Sequence, residues 1–304
     1  MNSMHCKKIA GILCMLVLWC LSTGPACSAT VTDEMGRKLT LSSLPVRIVS
    51  LAPSITETLF ALGLDCEIVG VTLFSNYPEA ARSKPKVGSY IALSLEKIAV
   101  LRPDLVIGTA DGNKWETINQ LTQIGIPVYI TNPTTLEGIF ETIIGIGDIT
   151  GRPDEARAVV KDLRIRVERV SNATGDRTRP RVFFQIGIHP IVSVGRPTLH
   201  DKLITLAGGI NITGDINISY PRMNIEQIIA AMPDIIIVSS MKRGGDFNEV
   251  GRAWGRWKEI PAVMNNKIFT IDSDLVDHHS PRIVDGLEAL AALIHSGCAA
   301  AGGK

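Results

Sequence analysis

The strongest constraint on the fold of this chain is a stretch in its middle that carries no strand signal. Two consecutive helical patterns occupy residues 135–173, whereas strand and helix patterns alternate before and after them. The second pattern, over 153–170, places charged residues among regularly spaced apolar ones, as expected for a long helix with one buried face. Alternating strands and helices are typical of α/β layers. We therefore predict two α/β lobes joined by a single long α-helix.

Short apolar runs mark the predicted strands. The run 47–51 precedes a helical pattern that ends at Gly63, and the run 104–107 follows a helical pattern over 94–101. Apolar runs without polar alternation are typical of parallel strands that are covered on both faces. Further strands are predicted over 67–72, 127–131, 181–185 and 267–272, and further helices over 113–124 and from near Ser280 onward. The predicted fold class is α/β, with two Rossmann-like lobes.

The N-terminus has the layout of a secretory leader. A basic stretch that ends at Lys8 is followed by an apolar run over 9–21 and by small residues up to Ala29. This layout predicts a signal peptide over 1–29, because the apolar run is shorter than the ~20 residues that span a bilayer. Lipid attachment at Cys27 is the alternative, although the preceding Gly-Pro-Ala is a poor match to the usual lead-in. In either case the chain is expected to be exported.

Charge and cysteine content narrow the function classes. Lys and Arg total 31 against 30 Asp and Glu, and removal of Lys7 and Lys8 with the leader reverses that small excess. The chain therefore has no positive field that would attract nucleic acid. Cys66 and Cys298 are the two cysteines outside the predicted leader. Exported proteins can form disulfides, but nothing in the sequence places these two within bridging distance, and we predict unpaired thiols.

An internal repeat supports the two lobes. Residues 94–107 (SLEKIAVLRPDLVI) and 224–237 (NIEQIIAAMPDIII) share Glu, Ile, Pro, Asp and Ile at a constant offset. Each copy reads as a helix, a Pro-Asp turn and a strand. Glu96 and its counterpart Glu226 follow the predicted helix starts, where a carboxylate complements the helix dipole. One acid on each lobe equally suits a two-point docking surface for a partner with paired basic residues.

Three tyrosines suggest a ligand site between the lobes. Tyr77, Tyr90 and Tyr220 lie in turn-like segments beside Pro, Gly or Ser, and the last two share the register of the repeat. Aromatic rings with available hydroxyls suit a large, planar, partly apolar ligand. His189 follows the carboxyl end of a predicted strand, where α/β sheets bind ligands. It precedes a proline, so it could equally be an ordinary turn residue.

The densest polar cluster is the segment IDSDLVDHHSPRI near the C-terminus. This segment contains three aspartates and two adjacent histidines, which are Asp272, Asp274, Asp277, His278 and His279. A structural loop, contact with an organic ligand and a metal site all remain open here. The glycine-rich segment 145–151, by contrast, lacks the strand-turn-helix context of a nucleotide loop, and we predict that it is a helix end.

Taken together, these motifs resemble the substrate-binding proteins of ABC importers. The resemblance is carried by RIVSLAPSITETLFALG at 47–63, by VGSYIALSLEKIAVLRPDLVIG at 87–108 and by AGGIN at 207–211 followed by the second repeat copy. Among these proteins, the chain is most similar to the group in which one long helix bridges two lobes. Within that group, the similarity is greatest to the periplasmic cobalamin-binding proteins. It implies a ligand cleft between the lobes, small closure motions and a periplasmic location.

The resemblance also assigns roles to particular residues. Glu96 and Glu226 match the glutamates that dock onto arginines of the two permease subunits. The cleft positions that carry over are Pro53, Tyr77, Tyr90, Tyr220 and Asp274. The sequence departs from the cobalamin group at His278, where an arginine is usual, and at Ile186 and Val192, where aromatic residues are usual. We count His278 among the expected ligand contacts. We also expect the second-lobe side of the cleft to be less aromatic than in the cobalamin group.

The implied function is capture of a cobalamin-type corrinoid and its delivery to an ABC permease. The expected organisation is a leader over 1–29, lobes over 30–150 and 177–304, and a linking helix over 151–176. Such a receptor makes and breaks no bond, needs no cofactor or metal of its own and is expected to be a monomer. A receptor for haem or a ferric siderophore, and a chelatase-like metal-handling enzyme, are the alternatives.

Overall fold

The computed structural model describes residues 29–175, 177–240 and 252–296. The predicted leader up to residue 28, including Cys27, lies outside the described residues, and so does Cys298. Cys66 is an exposed free thiol. None of the described helices is long and apolar enough to cross a membrane.

The first half of the described chain contains a four-stranded parallel sheet and two small antiparallel hairpins. Its strands are β1 (Ala29–Thr32), β2 (Lys38–Leu41), β3 (Ile48–Ser50), β4 (Ile68–Gly70), β5 (Gly88–Ser89), β6 (Ala92–Leu93), β7 (Leu105–Thr109) and β8 (Val128–Thr131). The sheet has the order β4-β3-β7-β8, while β1–β2 and β5–β6 are the hairpins. The hairpins were not predicted, because strands of two to four residues are too short to establish a period.

The second half repeats this topology. Its strands are β9 (Arg181–Gly187), β10 (Val192–Ser193), β11 (Ile210–Asn211), β12 (Ile235–Ser240) and β13 (Ile268–Asp272). The parallel strands have the order β11-β9-β12-β13, and β10 adds an antiparallel edge to the end of β9. Each strand of the first sheet thus has a counterpart in the second, in the same order.

Local contacts also repeat between the two halves. Arg102 and Met232 occupy the same repeat position, and both are left-handed with φ 46°. In each half a carboxylate then accepts a hydrogen bond from a backbone amide at the N-terminal end of the equivalent strand, β3 or β9: Arg47 N donates to Asp104 Oδ1 at 3.0 Å, and Arg181 N donates to Asp234 Oδ2 at 2.8 Å. The sequence repeat therefore corresponds to a repeated helix–turn–strand unit.

The helices cover both sheets and connect them. They are α1 (Pro53–Ala61), α2 (Leu95–Val100), α3 (Trp115–Gln123), α4 (Leu136–Thr150), α5 (Pro153–Thr174), α6 (Leu199–Leu206), α7 (Ile225–Ala231), α8 (Pro261–Met264), α9 (Ser273–Val276) and α10 (Ile283–Ile294). The long helix α5 packs against α4 on one side and α10 on the other. It begins with a proline at its first turn, a position where the missing N–H costs nothing. The predicted fold class is confirmed, whereas the exact lobe boundaries remain predictions.

One continuous core links the two halves. Leu59 of α1, Ile143 of α4, Leu163 of α5 and Leu287 of α10 belong to a single buried cluster that reaches both sheets. Separate clusters cover the opposite face of each sheet. Close-packed interiors transmit strain and resist deformation, so the shared core favours a fixed arrangement of the lobes over a wide hinge.

Two segments with special sequence patterns have clear structural assignments. The glycine-rich segment 145–151 forms the end of α4, which stops at a left-handed Gly151 with φ 73°. This confirms the prediction of a helix end. A structural loop was one of three open interpretations of the segment after β13, and this segment contains the short helix α9. Asp272 Oδ1 accepts the amide of Asp274 at 3.0 Å, a cap strong enough to start a helical turn.

Candidate ligand-binding cleft

The topology of the first sheet places a crevice at the ends of two neighbouring strands. In the order β4-β3-β7-β8, the chain leaves β3 towards one edge and later returns to build the other edge. Ligands of open α/β sheets bind outside the carboxyl ends of the strands at such a point. The end of β3 leads here to Ala52 and Pro53, and the end of β7 leads to Asp111.

A cavity of about 470 Å³ lies at this crevice and extends to the second half of the chain. Its volume is in the range of small-molecule sites. The first half contributes most of its lining, which is Ala52, Pro53, Ser54, Ile55, Thr58, Phe74, Tyr90, Thr109, Asp111, Thr131, Pro133, Thr142 and Ile146. The second half contributes Ser273, Asp274, Asp277, His278 and His279. The structure thus brings Pro53, Tyr90, Asp274 and His278 together.

Tyr90 is held in the cavity wall by its neighbours. It lies at the tip of the β5–β6 hairpin, and its carbonyl accepts a 2.9 Å hydrogen bond from the buried amide of Asn113. The same amide nitrogen donates to the carbonyl of Leu51 at 3.1 Å. The ring packs so closely on Gly112 that a Cβ there would lie 1.9 Å from Tyr90 Cε1. Burial, with a smaller effect from Asp111, raises the pKa of the Tyr90 hydroxyl, which therefore stays protonated as a donor.

The second-half side of the cavity is built around a buried carboxylate from the first half. Glu57 of α1 is 5% exposed and accepts hydrogen bonds from three groups across the cleft. His278 Nδ1 lies 2.9 Å and Arg282 Nη1 lies 3.2 Å from Oε1, and Ser280 Oγ lies 2.5 Å from Oε2. A buried carboxylate is costly unless it is paired and hydrogen-bonded. These contacts therefore compensate for its burial and tie the 278–282 segment to α1.

The two adjacent histidines have different electrostatic environments. Burial lowers the pKa of His278, but the hydrogen bond and charge of Glu57, with Asp274 and Asp277, outweigh it and raise the pKa above its ordinary value. His278 Nε2 lies 3.7 Å from Asp274 Oδ1. Burial lowers the pKa of His279, whose ring bonds to the backbone of Pro133. His279 therefore favours the neutral form, whereas His278 has Nδ1 bonded to Glu57 and Nε2 beside Asp274 of the cavity lining.

Tyr77 and Tyr220 are placed outside the lining of the cavity. Tyr77 is 47% exposed, and the guanidinium carbon of Arg282 lies 3.8 Å from its ring centroid, as in a cation–π contact. Tyr220 is 55% exposed. Burial, with the charges of Asp277 and Asp111, raises the pKa of its hydroxyl, and both aspartates line the cavity, so Tyr220 lies near the cleft. That Tyr77 and Tyr220 contact the ligand remains a prediction, and such contacts would lie at the rim of the cavity.

In the part of the chain that the structure describes, the other residues singled out in the sequence lie outside the cavity lining or form no metal site. His189 is exposed in the turn after β9 and does not belong to the described cavity lining. Ile186 and Val192 are half-buried residues of the second sheet. Among the described residues, no group of three or more His, Cys, Asp or Glu side chains is arranged to hold a metal ion.

Glu96 and Glu226 occupy equivalent, exposed positions on α2 and α7. Each is the second residue of its helix. In α2, Ser94 Oγ accepts a hydrogen bond from the backbone amide of Lys97. In α7, Asn224 Oδ1 accepts one from the backbone amide of Gln227. The helix N-termini are therefore capped by other residues, and both carboxylates are left towards solvent.

Sequence reasoning missed several polar residues of the cavity. Asp111, Thr109 and Thr131 lie at or just after the carboxyl ends of β7 and β8. Both strands were predicted, so the rule that ligands bind at these ends was the signal that could have identified them. The contribution of Glu57 had no such signal, because its partners are more than 200 positions away in the chain.

Two parallel-sheet lobes on a helical spine, with a cavity at the strand ends between them, define a bilobal ligand-binding protein. Residues 48–275 match the family described as periplasmic binding protein, and the chain belongs to that family. A vitamin B12-binding protein of Vibrio parahaemolyticus is 30% identical over 251 residues, which cover 82% of this chain and 90% of that protein. The suspected resemblance is thereby confirmed.

Solved structures show the same similarity. The crystal structure of the periplasmic vitamin B12-binding protein of Vibrio cholerae is 28% identical, with a TM-score of 0.71 over 83% of this chain and 97% of that one. The periplasmic haem-binding protein of a Roseiflexus species is 29% identical, with a TM-score of 0.74 over 82% of this chain and 97% of that one. Relatives of this fold thus include binders of two metal tetrapyrroles.

Proposed function

We propose that this protein is a periplasmic receptor that captures a cobalamin-type corrinoid and delivers it to an ABC permease. The observation that carries the proposal is the cavity between the lobes, in which Pro53, Tyr90 and Asp274 come together. These residues were expected to be ligand contacts from the resemblance to cobalamin-binding proteins. The names of the relatives support the same ligand class.

The chemistry of the cavity suits a large ring system with polar substituents. Ile55, Phe74 and Ile146 supply apolar surface, and Asp111 and Asp274 supply acceptors for amide groups. Phe74 is 63% exposed, and Tyr220 lies near the cleft. A ligand larger than the cavity would gain affinity by covering such rim side chains, because removal of apolar surface from water is favourable.

Haem is the second candidate ligand, and the two histidines favour it. His278 and His279 both line the cavity, and histidine is a common axial ligand of haem iron. A haem receptor would use the same lobes, the same spine and the same delivery surface.

Delivery requires that the ligand-loaded protein be recognised by the membrane partner. We assign this recognition to Glu96 and Glu226, which are exposed on equivalent helices of the two lobes. Carboxylates separated by a rigid core suit a partner that presents two arginines at a fixed spacing. The protein then acts by binding alone and catalyses no reaction.

Calorimetric titration of the purified protein tests the ligand assignment. Cyanocobalamin is expected to bind with a one-to-one isotherm, and hemin and a ferric hydroxamate siderophore serve as competitors in parallel titrations. Binding of the siderophore alone, or of hemin alone, would replace the corrinoid by that ligand. The absence of binding to any of the three would remove the receptor proposal.

A further inference from the structure

We propose that His278 Nε2 is an axial ligand of the central metal of the bound tetrapyrrole, and that Glu57 orients the imidazole for this role. The inference rests on the proposed function, because it concerns the ligand of the same cleft. It goes beyond that function by defining which metal tetrapyrroles the cleft prefers. The ligand class is a cobalt corrinoid or an iron porphyrin with an axial position that is open or holds an exchangeable water.

The geometry of His278 distinguishes its two ring nitrogens. Nδ1 lies 2.9 Å from Oε1 of Glu57, a hydrogen-bond distance. Nε2 lies 3.7 Å from Asp274 Oδ1, which is longer than a hydrogen bond. His278 lines the cavity, so Nδ1 is held by Glu57, while Nε2 makes the longer ion-pair contact with Asp274 of the cavity lining, which a metal–nitrogen bond would replace.

This arrangement is the one that metal-bound histidines use. A ligating histidine generally donates its second ring N–H to a carboxylate or carbonyl, which fixes the tautomer, orients the ring and increases its donor strength. Glu57 can fill this role with precision, because Ser280 and Arg282 hold its carboxylate in place. Arg282 is itself positioned on the ring of Tyr77. The support for His278 thus comes from both lobes.

The other histidines near the cleft are less suited. The ring of His279 bonds to the backbone of Pro133, and the charges of Asp111 and Asp277 act on it without outweighing its burial. His189 is exposed and stands outside the described cavity lining. His200 Nε2 pairs with Asp277 at 2.7 Å, and its side chain is buried against Phe184. His278 alone among these four combines a buried carboxylate partner with a place in the cavity wall.

The binding step is a ligand exchange without redox change. The bond between the metal and its axial water breaks, any proton on Nε2 passes to the leaving water, and the freed Nε2 lone pair forms the new metal–nitrogen bond. The proton on Nδ1 stays in the hydrogen bond to Glu57, and the released water leaves the cleft. Imidazole is an accepted ligand of both cobalt and iron. Tetrapyrroles whose two axial positions are blocked by cyanide cannot make this bond, so they are expected to bind more weakly.

Electron paramagnetic resonance of the full protein with cob(II)inamide tests the proposal. This corrinoid lacks the nucleotide base, so any axial nitrogen must come from the protein, and one such nitrogen splits each cobalt line into a triplet. We expect triplets in the wild-type complex and their loss in His278→Ala. Affinity for cob(II)inamide is expected to fall by roughly 10-fold or more in that variant. Affinity for dicyanocobinamide, with both axial positions blocked, should fall much less.

His189→Ala is the matched control, because it removes an exposed second-lobe histidine outside the described cavity lining. It should keep both the triplets and the affinity. A saturated wild-type complex without nitrogen splitting would overturn the ligation and leave the receptor function intact. Triplets that persist in His278→Ala but vanish in His279→Ala would also overturn it. If cyanocobalamin binds but neither cob(II)inamide nor hemin does, the ligation fails and the receptor function stands; if cyanocobalamin, hemin and the siderophore all fail to bind, the proposed function fails and the ligation fails with it.

Glu57→Gln tests the positioning role separately. The amide keeps the size of the side chain but removes the charge that strengthens the imidazole donor. We expect the triplets to remain with a changed nitrogen coupling, and affinity for cob(II)inamide to fall by roughly 10–100-fold. Unchanged coupling together with unchanged affinity would show that Glu57 does not act through His278.

Discussion

At the residue scale, the shape of the cleft depends on a glycine that packs against Tyr90. Gly112 has φ +96° and supports the ring of Tyr90. A side chain at this position would both strain the backbone and push the ring from the cavity wall. The placement of a predicted ligand contact is therefore determined by a neighbour that carries no chemistry of its own.

Gly112→Ala is expected to lower both stability and ligand affinity. An added Cβ would lie 1.9 Å from Tyr90 Cε1, so we expect a loss of about 2–3 kcal/mol in the free energy of unfolding. Displacement of the ring should weaken corrinoid binding by about 10-fold, which corresponds to ~1.4 kcal/mol. Urea unfolding and calorimetry measure the two effects.

Gly125→Ala provides the control for that substitution. Gly125 has φ +83°, but nothing lies within 4 Å of an added Cβ. It should therefore cost only the backbone strain of about 1–2 kcal/mol and leave ligand affinity unchanged. Equal affinity losses in the two variants would mean that the contact with Tyr90 does not shape the cleft.

At the element scale, the spine helix α5 is fastened to α10 by one arginine. Arg166 donates to Glu288 through Nε at 2.9 Å and Nη2 at 2.6 Å, and to Asp285 through Nη2 at 2.5 Å. Bidentate pairs of this kind are directional as well as favourable. The contact connects the spine to the last helix of the second lobe, so it helps to fix the orientation of that lobe.

Arg166→Gln should destabilise the protein in a pH-dependent way. The hydrogen bond from Arg166 lowers the pKa of Glu288 below its unfolded value of 4.5. The stabilisation is therefore fully present above that value and is lost as pH falls through the lower folded pKa. Because Glu288 is 37% exposed, screening by water limits the expected loss to about 1 kcal/mol at neutral pH.

Unfolding curves of wild type and variant across pH 3–7 measure this difference. Arg157→Gln is the matched control on the same helix, since Arg157 pairs with Asp154 in a largely exposed contact. The control should change stability little at any pH. A penalty for Arg166→Gln that stays constant down to pH 3 would contradict the assignment to Glu288.

Element positions were largely predictable, and the reasons are local. Apolar runs such as that of β7, caps such as Ser94 and stops such as Gly151 act within a few residues, so sequence patterns report them. The repeat was visible because both copies preserve the same turn. The helix α9 was missed because a single turn initiated by an Asp cap leaves no periodicity.

The site was less predictable than the elements. Pro53, Tyr90, Asp274 and His278 were identified with the help of the resemblance, and the structure brings them to one cavity. Glu57 was not identified, because a carboxylate within a helical pattern is ordinarily a solvent-exposed residue. Its importance arises only when the second lobe supplies three donors, and that is a property of tertiary structure.

At the scale of the whole molecule, the fold separates capture from delivery. The cavity lies at the strand ends between the lobes, whereas Glu96 and Glu226 are exposed on α2 and α7. One continuous core joins the lobes, so the spacing of the two carboxylates is expected to change little when ligand binds. A partner could then recognise the pair as a rigid two-point surface.

The double variant Glu96→Ala with Glu226→Ala tests this separation. Ligand affinity should remain at the wild-type value, because neither side chain belongs to the cavity, while permease-dependent uptake of corrinoid should be lost. Glu116→Ala is the control, since Glu116 is the second residue of α3 and exposed in the same lobe as Glu96. Uptake should survive that change. A fall in ligand affinity of the double variant would place the two acids in the cleft instead.

The central claim is that the cavity between the lobes holds a corrinoid, and a crystal structure of the protein grown with saturating cyanocobalamin tests it most directly. The account predicts a corrin ring between the lobes, in contact with Pro53 and Tyr90 from one side and Asp274 from the other. A corrin ring bound outside this cavity, or a cavity without corrinoid under saturating conditions, would contradict the account.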